Sequence, residues 1–225
     1  VADHDVTGVV LRFAPMPSLP VEMSVDSSAT SDKSQPNLMQ IGLMLQSRES
    51  VESGNSMVYL SPQRDRSFAF SAAPGTYRLQ ARGGGEWYVK SASFGDTGLL
   101  QQDLTVVPGT SGAPVLVVVS NQVGSLQGAT RVNGAPAACW VYLIPTMPSA
   151  KAVYSARSNH EGAFTFRYLP PGSYQAVAFE RHHSADYSNP AALATYSARV
   201  RTVSIQAGDQ ATLDLDAVPE EEIVP

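Results

Sequence analysis

The sequence predicts an all-β chain of two β-sandwiches in tandem, and three observations carry that prediction. Period-two alternation dominates, in short runs rich in Val, Tyr, Phe and Thr that are bounded by Gly, Pro, Asn and Ser. The run "RSFAFSAAPGTYRL" at 66–79 returns as "AFTFRYLPPGSYQAV" at 163–177, so Phe-x-Phe and then Pro-Gly-Ser/Thr-Tyr are spelled twice. A longer repeat aligns "VVLRFAPMPSLPVEMSV" at 9–25 with "LVVVSNQVGSLQGATRV" at 116–132, a constant offset of 107 residues, each copy running from one strand through Ser-Leu into another.

The alternation places strands near 6–14, 19–28, 39–47, 56–61, 67–71, 75–82, 87–93, 100–107 and 113–120, then near 124–132, 139–144, 152–158, 163–168, 173–180, 198–206 and 210–218. One short helix is expected near 190–198, in "NPAALATYSAR", where Asn189 suits the N-cap and Pro190 the first helical position. The long repeat sets the domain boundaries. Residues 18–121 form one sandwich, 122–219 a second, and 220–225 a tail. The strand at 6–14, within 1–17, is left over as a closing strand for an upstream or neighbouring domain, and an isolated edge-forming strand invites pairing between molecules.

Within each short repeat the alternation assigns roles. Phe68 and Phe70, like Phe164 and Phe166, point to one face of a strand. Pro74-Gly75 and Pro171-Gly172 follow as tight turns, with Pro presetting φ and Gly accepting the positive φ of a type II turn at its third residue. Tyr77 and Tyr174 then enter the next strand with the ring inward, and a buried hydroxyl requires a partner, as in the tyrosine corner of Ig-like sandwiches. The motif is therefore structural.

Bulk composition excludes several classes of function. A chain of 225 residues is long enough for two cores. A net charge of −5, with both signs interspersed, argues against a nucleic-acid or anionic-membrane partner. A single cysteine, Cys139 in the apolar run "ACWVYLIP", rules out an internal disulfide framework and reads as buried and inert. No apolar run reaches the roughly twenty residues that span a bilayer, and no basic-then-apolar leader opens the chain.

"GATRVNGAPAACWVYLIP" followed by "YSARSNHEGAFTFRYLPPGSYQAVAFE" resembles the carboxypeptidase regulatory-like domain, a transthyretin (prealbumin)-like sandwich with a carbohydrate-binding-like fold. Gly134, Ala135 and Pro136 match its Gly-x-Pro element, Asn159 to Phe164 its Asx-x-Gly-x-Phe turn, and Leu169 to Tyr174 its Leu-Pro-Pro-Gly-x-Tyr. The match covers most of 122–218. The first domain keeps only "DRSFAF" and "PGTYRL". The resemblance implies seven-stranded Greek-key sandwiches, and the tandem copies look like those of acidobacterial surface proteins. In that family the module usually stands beside a zinc peptidase and is not itself catalytic.

No catalytic constellation emerges from the residues. His160 directly precedes Glu161 in "NHEG", no His-x-x-Glu or Gly-x-Ser-x-Gly occurs, and "ARGGGEWYVK" lacks the Gly-Lys-Ser/Thr ending of a phosphate loop and reads as a loose hairpin turn. His182, His183 and Asp186 in "RHHSAD" are poor metal ligands together, since adjacent strand residues face opposite ways, so a solvated loop is expected. A Lys–Asn/Asp isopeptide has only Lys33, Lys90 and Lys151 to draw on, and Lys90 with Asp214 or Asp216 would cross domains. The aromatic residues that core alternation leaves unexplained are Trp87 and Tyr88 beside the glycine loop and Tyr187 near His182 and His183; for these three, packing at an interdomain seam is favoured over glycan stacking, and with the two histidines they are the weak ligand-binding candidates.

The expectation is a non-enzymatic, secreted or cell-surface structural or adhesion module without cofactors. Its partners would be copies of itself or upstream domains of its own chain, with assembly into fibres by strand pairing. The alternatives are a carbohydrate-binding accessory module, with glycans as partners, and the regulatory domain of a larger peptidase or outer-membrane protein.

Overall fold

The computed structural model describes residues 16–29, 41–49, 57–63, 67–110, 113–146, 153–187 and 189–223. The expected strand at 6–14 lies outside them, as do Lys33 and Lys151. Among the described residues the regular structure is β apart from two 3-10 helices, Pro190–Arg199 and Glu220–Glu222. Every described strand pairing joins strands of the same half of the chain, on one side or the other of Asn121–Val123.

The first half contains β1 (Ser18–Val25), β2 (Gly42–Ser47), β3 (Met57–Tyr59), β4 (Ser61–Pro62), β5 (Phe68–Ser71), β6 (Gly75–Arg82), β7 (Tyr88–Phe94), β8 (Thr97–Gly98), β9 (Leu104–Val106) and β10 (Val115–Ser120). They form a sheet ordered β4-β5-β1-β10-β7-β8 over a second ordered β3-β2-β6-β9. Leu19, Phe70, Leu45, Leu79 and Val117 fill the space between, because each lies on the inward phase of its strand.

The second half contains β11 (Gly124–Val132), β12 (Ala135–Pro136), β13 (Trp140–Pro145), β14 (Tyr154–Arg157), β15 (Ala163–Leu169), β16 (Gly172–Phe179), β17 (Arg201–Ile205), β18 (Gln210–Thr212) and β19 (Leu215–Asp216). Its sheets are ordered β12-β11-β15, with β18 and β19 alongside β11, and β14-β13-β16-β17. Leu126, Leu143, Phe164, Phe166, Ala176 and Leu215 share its inner core.

The two halves are one plan used twice, and the long repeat marks it. Leu19 of β1 sits opposite Phe70 in an antiparallel pair, and its repeat partner Leu126 of β11 sits opposite Phe166. On the other side β1 runs parallel to the closing strand β10, and β11 runs parallel to β18 and β19.

Between the sixth strand of the plan and the next, the halves diverge. In β6 the outward residues Arg78, Gln80 and Arg82 are polar, Arg78 and Gln80 being held by Asp103 and Gln46, so that face asks for no apolar cover, and the chain instead spends residues 88–98 on β7 and β8, which extend the other sheet. In β16 the outward residues Val177 and Phe179 are as apolar as the inward Tyr174, Ala176 and Ala178, and a strand apolar on both faces needs a cover. Leu193 and Tyr196 of the helix Pro190–Arg199, with Val218 and Ile223, supply it. Asn189 caps this helix as expected, its side-chain oxygen accepting from the Ala191 N–H at 3.0 Å, but the turns are 3-10.

The Pro-Gly turns differ from expectation. Gly75 and Gly172 open their strands at φ 158° and 157°, close to extended backbone and far from the roughly +80° of a type II third residue. The positive φ falls elsewhere. Asn133 (51°) and Gly134 (83°) make the two-residue hairpin turn between β11 and β12, while Tyr168 takes 58° just before the prolines. The Asx turn is present: the Asn159 side-chain oxygen accepts from the N–H groups of Glu161 and Ala163 at 3.1 and 2.8 Å.

Candidate functional site

The glycine loop is a tight hairpin and not a loose one. Gly84 and Trp87 exchange both backbone hydrogen bonds, at 2.9 and 3.0 Å, across Gly85 at φ 61° and Glu86. Gly83 is required by close approach, since a Cβ there would lie 2.5 Å from the Trp87 carbonyl oxygen. This turn fixes Trp87 at the head of β7, and Trp87 and Tyr88 both reach a cleft of about 820 Å³ between the two halves.

The first half contributes Arg82, Trp87, Tyr88 and Lys90 to the cleft; the second contributes Tyr154, Tyr168, Pro170 and Pro171. Gln122 of the connecting segment lies along the same cleft and donates to the Ser28 carbonyl at 2.8 Å. Trp87 is only 7% exposed, and its indole N–H has no acceptor among the described residues. Tyr168 is the opposite case. It is half exposed and held at a left-handed φ that a bulky side chain rarely adopts. Trp87 and Tyr88 thus line the cleft together with Tyr154 and Tyr168, which alternation alone assigned to ordinary strand positions.

The second group of candidates lies elsewhere. His182, His183 and Tyr187 follow β16, and His183 and Tyr187 pack over its outer face. The His183 ring stacks on Phe179 with centroids 4.3 Å apart and an 11° tilt, and its Nδ1 is 2.7 Å from the Tyr187 hydroxyl. Its backbone N–H donates to the Tyr142 hydroxyl at 3.1 Å. His182 turns instead to the edge of Trp140, 5.0 Å between centroids. His183 and Tyr187 are partly buried in an aromatic cluster, while His182 and Asp186 remain exposed on an irregular loop. Burial lowers the His183 pKa, with His182 and Arg181 adding to the effect, and burial raises the Tyr187 phenol. Among the described residues no group of His, Cys, Asp and Glu is arranged to hold a metal ion.

Lys90 has a carboxylate partner that sequence spacing did not suggest. Its Nζ lies 2.6 Å from Asp26 Oδ2, and the Ser120 hydroxyl approaches the same oxygen at 3.2 Å. The Lys90 ammonium and the Ser28 hydroxyl hold the Asp26 carboxyl well below the usual range, while Asp26 raises the lysine. Both groups are charged, and an ammonium has no lone pair to attack a carboxyl, so the pair is ionic and does not form an amide. Cys139 is fully buried and its thiol is pushed up by burial, as the apolar run implied.

No protein-family model matches the chain, and no curated protein matches it significantly. Among solved structures, GBS52, the minor pilin of the gram-positive pathogen Streptococcus agalactiae, is 13% identical, with 92% of this chain and 98% of that chain covered at a TM-score of 0.40. The Bacillus anthracis TIE protein is 12% identical over 91% of this chain at a TM-score of 0.30; the match spans only 34% of that protein's chain. The C-terminal fragment of the pilus adhesin SpaC from Lactobacillus rhamnosus GG is 12% identical, covered over 92% of this chain and 99% of the fragment at 0.28.

Proposed function

We propose that the chain is a non-catalytic, extracellular load-bearing spacer of two sandwich domains in series, 18–121 and 122–219. The parallel pairing of first and closing strands carries this reading. Val21 to Val25 of β1 pair in register with Val115 to Val119 of β10. Because the two strands run the same way, the chain enters the half at one end and leaves it at the other. Tension between entry and exit then shears all the hydrogen bonds of this ladder together, whereas an antiparallel terminal pair would open one bond at a time. The second half repeats the arrangement, with Ser125 to Gln127 parallel to Gln210 to Thr212 and Thr130-Arg131 parallel to Leu215-Asp216.

Single-molecule pulling of the full chain from its two ends tests this, since forced unfolding reads the unfolding barrier directly. Two high-force events are expected, and a much lower force for the first half when it is pulled between its N-terminal end and a handle at Thr97→Cys on the edge strand β8. Equal forces in the two geometries would overturn the reading. Assembly of copies is the finer form of it: residues 6–14 of one chain adding to an exposed edge of another, such as β15, whose one described strand partner is β11. Deleting residues 1–15 should abolish any polymer; polymer that survives the deletion rejects strand addition.

A further inference from the structure

We propose that the Asp26–Lys90 pair latches the joint between the two halves, so that they move as one rigid body. The covalent connection is short, since β10 ends at Ser120 and β11 begins at Gly124. Two sandwiches joined in this way swing by default unless something fixes the dihedrals between them. Both halves grip the connection. From the first, the Ser28 carbonyl accepts from the Gln122 side-chain amide at 2.8 Å, and the Ser120 hydroxyl accepts from the Gln122 N–H at 3.3 Å. From the second, the Gly208 N–H donates to the Val123 carbonyl at 3.0 Å, and the Asp209 carbonyl accepts from the Ser125 N–H at 2.8 Å. Asn121 is 6% exposed, and its carbonyl accepts from the Val123 N–H at 2.9 Å.

The two grips differ in kind. The second half offers a turn that holds itself: the Gln206 N–H donates to the Asp209 carboxylate at 3.0 Å, the Asp209 N–H to the Gln206 carbonyl at 3.1 Å, and Gly208 takes a φ of 77°. The same turn recurs in the first half, away from the joint, with Val107 donating to the Thr110 hydroxyl at 2.9 Å, Thr110 donating back at 3.0 Å and Gly109 at 83°. Its shape therefore owes nothing to the joint. The grip of the first half is assembled by one carboxylate. Asp26 Oδ2 accepts from the Ser28 and Ser120 hydroxyls at 2.5 and 3.2 Å and from the Lys90 ammonium at 2.6 Å, and Ser28 and Ser120 are the two residues that hold Gln122. Three donors on one oxygen suit an ionised carboxylate, whose bonds are about twice as strong as neutral ones; an amide there offers a neutral oxygen and two donors of its own. Lys90 reaches Asp26 from β7, so the latch fixes the turn after β1 to the sheet and, through it, Gln122. The latch and the load-bearing ladder are independent properties of the chain, and either can fail without the other.

Spin labels on Thr105→Cys and Thr202→Cys, exposed strand positions in the first and second half, read the joint by pulsed electron resonance in the full chain, and the buried Cys139 takes no label. A single narrow distance distribution is expected. Gln122→Ala and Asp26→Asn should each broaden it about twofold at a temperature where circular dichroism shows the chain folded, because domain motion returns once a joint is loosened. Lys90→Met, which removes the same ion pair from a half-exposed side chain, takes the place of Asp26→Asn if that variant does not fold. Asp103→Asn breaks the ion pairs to Arg48 and Arg78, away from the connection, and should leave the width unchanged. A broad distribution in the parent chain overturns the proposal, as do widths that stay narrow in both variants. Broadening by Gln122→Ala alone removes Asp26 from the joint and overturns it too, and equal broadening by Asp103→Asn overturns it in favour of a general loss of stability.

Discussion

Tyr174 donates its phenol hydroxyl to the carbonyl oxygen of Pro170 at 2.6 Å, and Tyr77 makes the same contact with Ala73 at 2.9 Å. Each bond reaches four residues back across a Pro-Gly step, so the tyrosine of the short repeat ties the start of a strand to the turn that delivers it. Tyr174→Phe keeps the ring in the core and leaves the Pro170 carbonyl without its donor. A loss of about 1 kcal/mol is expected for Tyr174→Phe and again for Tyr77→Phe, read from urea midpoints. Midpoints that do not move would make the motif a matter of ring packing alone.

Gly128 and Gly134 are both glycines of the second half, required for different reasons. A Cβ on Gly128 would fall 1.8 Å from the Leu213 carbonyl oxygen and 2.9 Å from the Phe164 ring, so the closing strand passes too near β11 to admit a methyl group. At Gly134 there is open space but φ is +83°. Gly128→Ala should therefore cost about 3 kcal/mol through overpacking, and Gly134→Ala only about 1 kcal/mol of left-handed strain. Equal losses at the two sites would mean that β18 and β19 move aside readily.

Much of this architecture could be read from the chain because alternation and turn residues are local. The strand expected at 75–82 is β6 residue for residue, and the Asn159 turn and the Asn189 cap each follow from one side chain acting on its own backbone. The helix near 190–198 was expected, but not its place as the cover over Val177 and Phe179. The cleft was not. It gathers Trp87 and Tyr168 from positions 81 residues apart in the chain, and period-two reasoning assigns each only to its own sheet. Nothing in "FRYLPP" announces the left-handed φ of Tyr168, because tyrosine has no preference for it. The Asp26–Lys90 pair was hidden for the same reason, its partners standing 64 positions apart.

Asp26 makes the first half sensitive to acid. Its folded pKa is depressed by the Lys90 ammonium and the Ser28 hydroxyl, so its contribution is fully present above the unfolded aspartate value of about 3.9 and is lost as pH falls through the folded value. Wild-type melting temperature should drop below about pH 4, and Asp26→Asn should be less stable near neutrality while losing part of that acid-dependent drop. If the two chains differ by the same amount at pH 3 and pH 7, the carboxylate charge is not what Lys90 and Ser120 hold.

His183 acts in a different window. Packed on Phe179 with its Nδ1 beside the Tyr187 hydroxyl, the ring is held neutral; burial lowers its folded pKa, and the nearby His182 and Arg181 lower it further. In the unfolded chain the same imidazole takes up its proton near pH 6.5. Between that value and the lower folded one the unfolded state binds more protons, so stability is complete above pH 6.5 and declines as pH falls through the window. His183→Gln should be less stable at pH 8, having lost the stacked ring, yet show a flatter profile from about pH 6.5 downward. Thermal unfolding of both chains between pH 5 and pH 8 decides the matter. Profiles that run parallel would show that the imidazole is not the titrating group, and that the aromatic cluster on the outer face of β16 owes its stability to packing without regard to protonation.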